Sequence, residues 1–194
     1  MAVDGQVSSS QTFKISPLIR FALWSFYVAL VLPLPVLGAT VGGLGQVATY
    51  SLSAALVGGA VLLHMALAEV VALGEDGIAV HYPMWVPSFL RREWGLRWSE
   101  VQDLKARSTG QGGLVYYLVA RDGRGFLLPM RIAGFTRMVK LIHEKTGIDT
   151  KDIKPLAQPW MYGFLLVAAG FLAIADGWTL WTVVHGSEGG LVVL

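Results

Sequence analysis

The sequence contains no cysteine. Disulfides, thiol nucleophiles, iron–sulfur clusters and cysteine-ligated zinc are therefore excluded. Charge is also scarce: Asp, Glu, Lys and Arg make up 14% of the 194 residues, where a soluble domain carries about a quarter. Histidine is limited to four scattered residues, and His143-Glu144 lacks the second histidine of a zinc-protease helix. No metal site, cofactor site or catalytic set is visible, so the expectation is a protein that is not an enzyme. The pI of about 9.0 comes from a net charge of only +2, which does not argue for nucleic acid.

The longest absence organises the chain. From Phe21 to Ala68 there is no Asp, Glu, Lys or Arg. A helix needs about 20 apolar residues to cross a bilayer, so this run is long enough for two crossings. Pro33, Pro35, Gly38, Gly42, Gly43 and Gly45 break it in the middle. The pattern predicts a helical hairpin, Leu18–Val41 out and Gln46–Leu67 back, within a segment spanning 14–68. Gly42-Gly43-Leu44-Gly45 lies between apolar helices rather than after a strand, so it is no phosphate loop. A cleavable signal peptide ending near Val36-Leu37-Gly38-Ala39 is the rival reading, but the run exceeds the 7–15 residues of a signal core. Residues 1–13, polar and serine-rich, read as a disordered lead.

On the second helix Ser51, Ala55 and Gly59 form a ridge of small residues that lets helices approach closely. It suits packing within the chain, with a homodimer seam as the other use. His64 is the ionisable residue inside the hairpin, and such residues are functional candidates by default. The plain alternative is a neutral imidazole bonded to a neighbouring helix.

Residues 69–158 have another character. They hold most of the charge and read as short strands followed by one amphipathic helix. Gly77–Tyr82, Arg91–Trp94, Leu96–Trp98, Ser99–Ala106, Leu114–Ala120 and Phe126–Met130 are strand-like, and Asp122-Gly123 marks a hairpin. Phe135, Met138, Val139 and Ile142 follow helical spacing, and Gly147 ends that helix. A third apolar segment covers 159–184, with 185–194 as a short tail. Asp176 interrupts it about 16 residues in, roughly 24 Å along a helix at 1.5 Å per residue. A solvated helix end and a buried proton or cation site are both compatible with that position.

All 15 Lys and Arg precede the third segment. By the positive-inside rule the N-terminus and the 69–158 domain are expected in the cytoplasm, at a cell (inner) membrane or another prokaryotic internal membrane. Met84-Trp85-Val86-Pro87-Ser88-Phe89-Leu90, then Arg91, Arg92, Trp94 and Arg97, place aromatic tips beside basic residues. That suits an anionic membrane surface. The rival is that Trp94 and Trp98 fill the core and Arg91, Arg92 and Arg97 are its solvated face.

Glu75-Asp76-Gly77-Ile78, Leu96-Arg97-Trp98-Ser99-Glu100-Val101, Arg121-Asp122-Gly123-Arg124 and the closing helix Phe135–Gly147 together resemble the bacterial pleckstrin-homology-like (PH-like) domain of small multi-pass membrane proteins. The resemblance implies a partly open β-barrel capped by a C-terminal helix, with no shared catalytic residues. The expected fold is thus membrane α + β: three transmembrane helices with this barrel inserted between helices two and three. The expected function is a non-enzymatic membrane scaffold or assembly module that binds membrane lipids or a membrane-protein partner. The alternative is an accessory subunit of a transport or electron-transfer complex using His64 or Asp176.

Overall fold

The computed structural model describes residues 11–40, 42–108, 110, 114–150, 152–153 and 159–186. In chain order the elements are β1 (Gln11–Lys14), α1 (Pro17–Val31), α2 (Leu34–Thr40), α3 (Gln46–Ala66), β2 (Val70–Leu73), β3 (Gly77–His81), β4 (Trp94–Arg97), β5 (Val101–Ser108), β6 (Leu114–Ala120), β7 (Gly125–Leu127), α4 (Phe135–Thr146) and α5 (Pro159–Gly186). They form two compact units, Met1–Pro17 with Met65–Gln158, and Leu18–His64 with Pro159–Leu194.

The first unit is built on two antiparallel sheets, ordered β1-β2-β3-β4 and β5-β6-β7. Alternation along the strands decides their buried faces. Val71 and Leu73, Ile78 and Val80, and Tyr116, Leu118 and Ala120 point inward. On α4, Phe135, Met138, Val139 and Ile142 share one helical stripe, and all four join the same core. Gly147 closes α4 in the left-handed region, φ 72°, with its N–H donating to the His143 carbonyl at 2.8 Å. Gly77 has no room for a side chain, because a Cβ there would overlap the Leu96 carbonyl oxygen.

Both sheets are open, and no closed barrel forms among the described residues. The expected domain is corrected in its first strand. The end of the presumed disordered lead is a strand: β1 pairs with β2 from Gln11↔Leu73 to Lys14↔Val70. β1 buries Phe13, and just beyond it Ile15 is buried and bridges to Ile132. The chain thus completes its sheet with residues that precede the whole helical hairpin. Smaller shifts follow from sheet pairing. The pieces on either side of Gly95 are one strand, β4, and the return strand after the Asp122-Gly123 turn spans only Gly125–Leu127.

Among the described residues, three helical segments are long and apolar enough to cross a membrane: Pro17–Thr40, Gln46–Ala66 and Trp160–Val183. The first is broken where Pro33 and Pro35 withdraw two N–H donors, so α1 gives way to α2. α5 runs unbroken past Asp176 and through His185, two residues longer than expected.

Candidate functional site

β3 ends at His81, which pairs with Val70, and Val70 also pairs with Lys14. The loop from Tyr82 to Glu93 therefore leaves the sheet at the end where the chain passes on to α1 and arrives from α3. Its geometry is held from within. Val86 is buried at 1% exposure and pins the centre, and Ser88–Leu90 form a 3₁₀ turn. Arg91 braces the loop: Nε donates to the Val86 carbonyl at 2.6 Å and Nη2 to the Met84 carbonyl at 2.7 Å. Glu93 faces Arg91 at 4.0 Å and accepts the Tyr82 N–H at 3.1 Å.

With the centre pinned, the apolar tips point outward. Met84 is 92% exposed, Phe89 83% and Trp85 51%, and Arg92 is exposed beside them. Isolated exposed apolar side chains need no explanation, whereas several together on one loop make a candidate contact surface.

The six residues singled out for lipid or partner contact thus divide. Trp85, Phe89 and Arg92 form the exposed tip, and Arg91 shapes it. Trp94 does not belong: it lies against the core with its ring 5.2 Å from Phe126. Arg97 does not belong either, because it pairs with Gly77 at the opposite end of the sheet.

Sequence reasoning missed Glu69, Tyr82, Glu93 and Arg131 at the base of the loop. The only signal was that Glu69 is the first charge after the long neutral run. Burial pushes the Glu69 carboxyl above its ordinary range, and Arg131 pulls it partly back. Burial, then the Glu69 charge, raises Tyr82, while Arg92 opposes the rise and Glu93 adds to it. A carboxyl whose folded pKa is raised binds its proton more readily in the folded state. Its destabilising contribution is full at high pH and fades as pH falls through the folded pKa toward the unfolded value. Glu69→Gln is therefore expected to remove stability that the wild type gains on acidification from neutral pH toward about 4.5, the ordinary glutamate value. Chemical denaturation of both proteins across that window checks it, and parallel pH profiles would refute it.

In the second unit, Gly59 of the small-residue ridge meets another helix. A Cβ there would lie 2.6 Å from the Tyr27 hydroxyl, which donates to the Leu56 carbonyl. Ser51 and Ala55 are exposed, and the Ser51 hydroxyl donates to the Val47 carbonyl of its own helix. His64 is exposed, its ring 6.3 Å from that of Trp24. Asp176 lines a groove described below. No group of three or more His, Cys, Asp or Glu among the described residues could hold a metal ion.

No protein-family model matches the chain, and no solved structure matches it. One curated protein, the uncharacterized protein slr0269 of Synechocystis sp. (strain ATCC 27184 / PCC 6803 / Kazusa), is 51% identical over 156 residues, which are 80% of this chain and 78% of that protein. At that identity and coverage the chain belongs to the same family as the Synechocystis protein slr0269.

Proposed function

We propose that this protein is a non-enzymatic integral membrane module that holds its sheet domain against an anionic membrane surface. It crosses a prokaryotic membrane three times, with the N-terminus and sheet domain in the cytoplasm, as the one-sided distribution of Lys and Arg favours. On this reading the domain is PH-like; what supports it is that, among the described residues, seven strands in two open sheets share one core with a closing helix. It acts as a scaffold or assembly element whose reach is set by the membrane it grips.

One observation carries this reading. The exposed Met84, Trp85 and Phe89 and the neighbouring Arg92 project from the sheet end at which the chain joins the apolar helices. Apolar tips entering the headgroup layer gain about 25 cal/mol per Å² buried, and a cation beside anionic lipid about 1 kcal/mol.

Because the protein has no cysteine, single introduced cysteines report position without background. A polarity-sensitive dye at Phe89→Cys is expected to shift to the blue when the full chain is placed in anionic nanodiscs. The same dye at Gly110→Cys is expected to stay unchanged. In intact cells Gly45→Cys is expected to label with an impermeant reagent, and Gly110→Cys only after permeabilisation. A dye at position 89 that stays aqueous in anionic bilayers would overturn lipid docking, and labelling at 110 in intact cells would overturn the orientation.

A further inference from the structure

Between α1 and α5 lies a groove of about 460 Å³, within the roughly 300–1,000 Å³ typical of small-molecule sites. Val28 from α1, Leu32 just beyond it, and Leu166, Ala173 and Leu180 from α5 make its walls apolar. Gly170 and Gly177 widen it, since a Cβ at either would meet nothing within 4 Å. Only two of its lining side chains are polar, Ser25 and the half-buried Asp176, and none is Lys, Arg or His.

The backbone adds a further acceptor. Pro33 lines the groove and has no N–H to return to the carbonyl of Ala29, which also lines it. In the three-crossing topology proposed above, on which this inference rests, α1 and α5 run in the same direction. The Ala29 carbonyl and the Asp176 carboxylate thus both border one apolar trough. A carboxylate beside hydrocarbon is costly unless a cation or donor meets it, and none of the lining side chains supplies a cation.

We infer that this groove binds a long-chain amphiphile with an ammonium headgroup, its chain along Val28, Leu166 and Ala173 and its head against Asp176. Charge complementarity selects the head: a carboxylate or phosphate there would face Asp176 with like charge. Nearly all the remaining lining is apolar, which suits an unbranched hydrocarbon chain.

The test uses the full chain in nanodiscs, a photoactivatable hexadecylamine, and hexadecanoic acid carrying the same photoreactive group. Labelled peptides are mapped by mass spectrometry. The amine is expected to label α1 and α5 at least about tenfold more than the acid, a difference of about 1.4 kcal/mol in binding. Asp176→Asn is expected to bring amine labelling down to the acid's level. Gly170→Leu, which adds a side chain where the backbone has room for it, is expected to abolish labelling by both.

Equal labelling by amine and acid, or amine labelling untouched by Asp176→Asn, would overturn the inference. So would a high yield of inter-chain disulfide from Ala173→Cys, because a second copy would then fill the groove. Alkaline carbonate extraction of the same membranes separates the two levels of the reading. Release of the chain would defeat the three-crossing topology, whereas retention with unselective labelling would defeat the groove alone.

Discussion

A fragment cut as residues 69–158 is expected not to fold, although it contains all the described strands but one. It lacks β1, and with it Phe13 and Ile15, which are 7% and 4% exposed. Truncating a buried Phe costs about 3–5 kcal/mol and a buried Ile about 2–5, against a total stability of about 5–15 kcal/mol for a domain. The loss also turns β2 into an edge, leaving Val70–Leu73 without their outer partner. The expected result is a spectrum without sharp dispersion and no cooperative unfolding transition. Joining residues 11–16 through a short Gly/Ser linker to residue 69 of the same fragment is expected to restore cooperativity. If 69–158 alone unfolds in a single sharp transition, β1 is not integral to the domain.

The second large effect concerns the loop. In anionic nanodiscs the amides from Met84 to Leu90 are expected to be strongly protected from hydrogen exchange in the full chain. Trp85→Ser with Phe89→Ser and Arg92→Gln is expected to remove that protection. An aromatic side chain buries about 150–250 Å² in full, so half-insertion of each ring is worth about 2–3 kcal/mol. Losing both rings is expected to lower protection by roughly a hundredfold or more. Salt separates the contributions. Raising it from 0.1 to 1 M shortens the Debye length from about 10 to about 3 Å, which weakens the Arg92 part and leaves the apolar part.

Arg91→Gln behaves differently, because Arg91 holds the loop together. Removing its bonds to the Met84 and Val86 carbonyls, each worth about 1.5–3 kcal/mol for a charged donor, is expected to raise exchange even in detergent. The triple variant leaves exchange in detergent unchanged. Equal protection of the triple variant and the wild type in anionic nanodiscs would refute membrane insertion of the loop. A lipid-independent protein partner would then be the better reading of the same surface.

The sequence by itself determined the features that depend on neighbours along the chain. Three long apolar helices were legible because Phe21–Ala68 and the segment after Pro159 are long and almost without charge, and Pro33 marked the break. α4 was legible because Phe135, Met138, Val139 and Ile142 repeat at helical spacing, and β6 and its Asp122-Gly123 turn because alternation and turn chemistry are local. Tertiary structure decided what depends on partners distant in sequence. Gln11–Lys14 is too short and too polar to declare itself a strand; it became one because Val70–Leu73, beyond the helical hairpin, offered an unpaired edge.

The candidate site divided for the same reason. Trp85, Phe89, Arg91, Arg92, Trp94 and Arg97 look alike in a linear motif. Pairing with β3 sends Arg97 to the far end of the sheet, and Phe126 draws Trp94 to the core. Two backbone carbonyls then turn Arg91 from a surface charge into a brace. The groove beside Asp176 likewise exists only where α1 and α5 come together. Hydrophobic periodicity is written in adjacent residues, whereas register, bracing and cavities come from loop closure and packing between segments that no local pattern can specify.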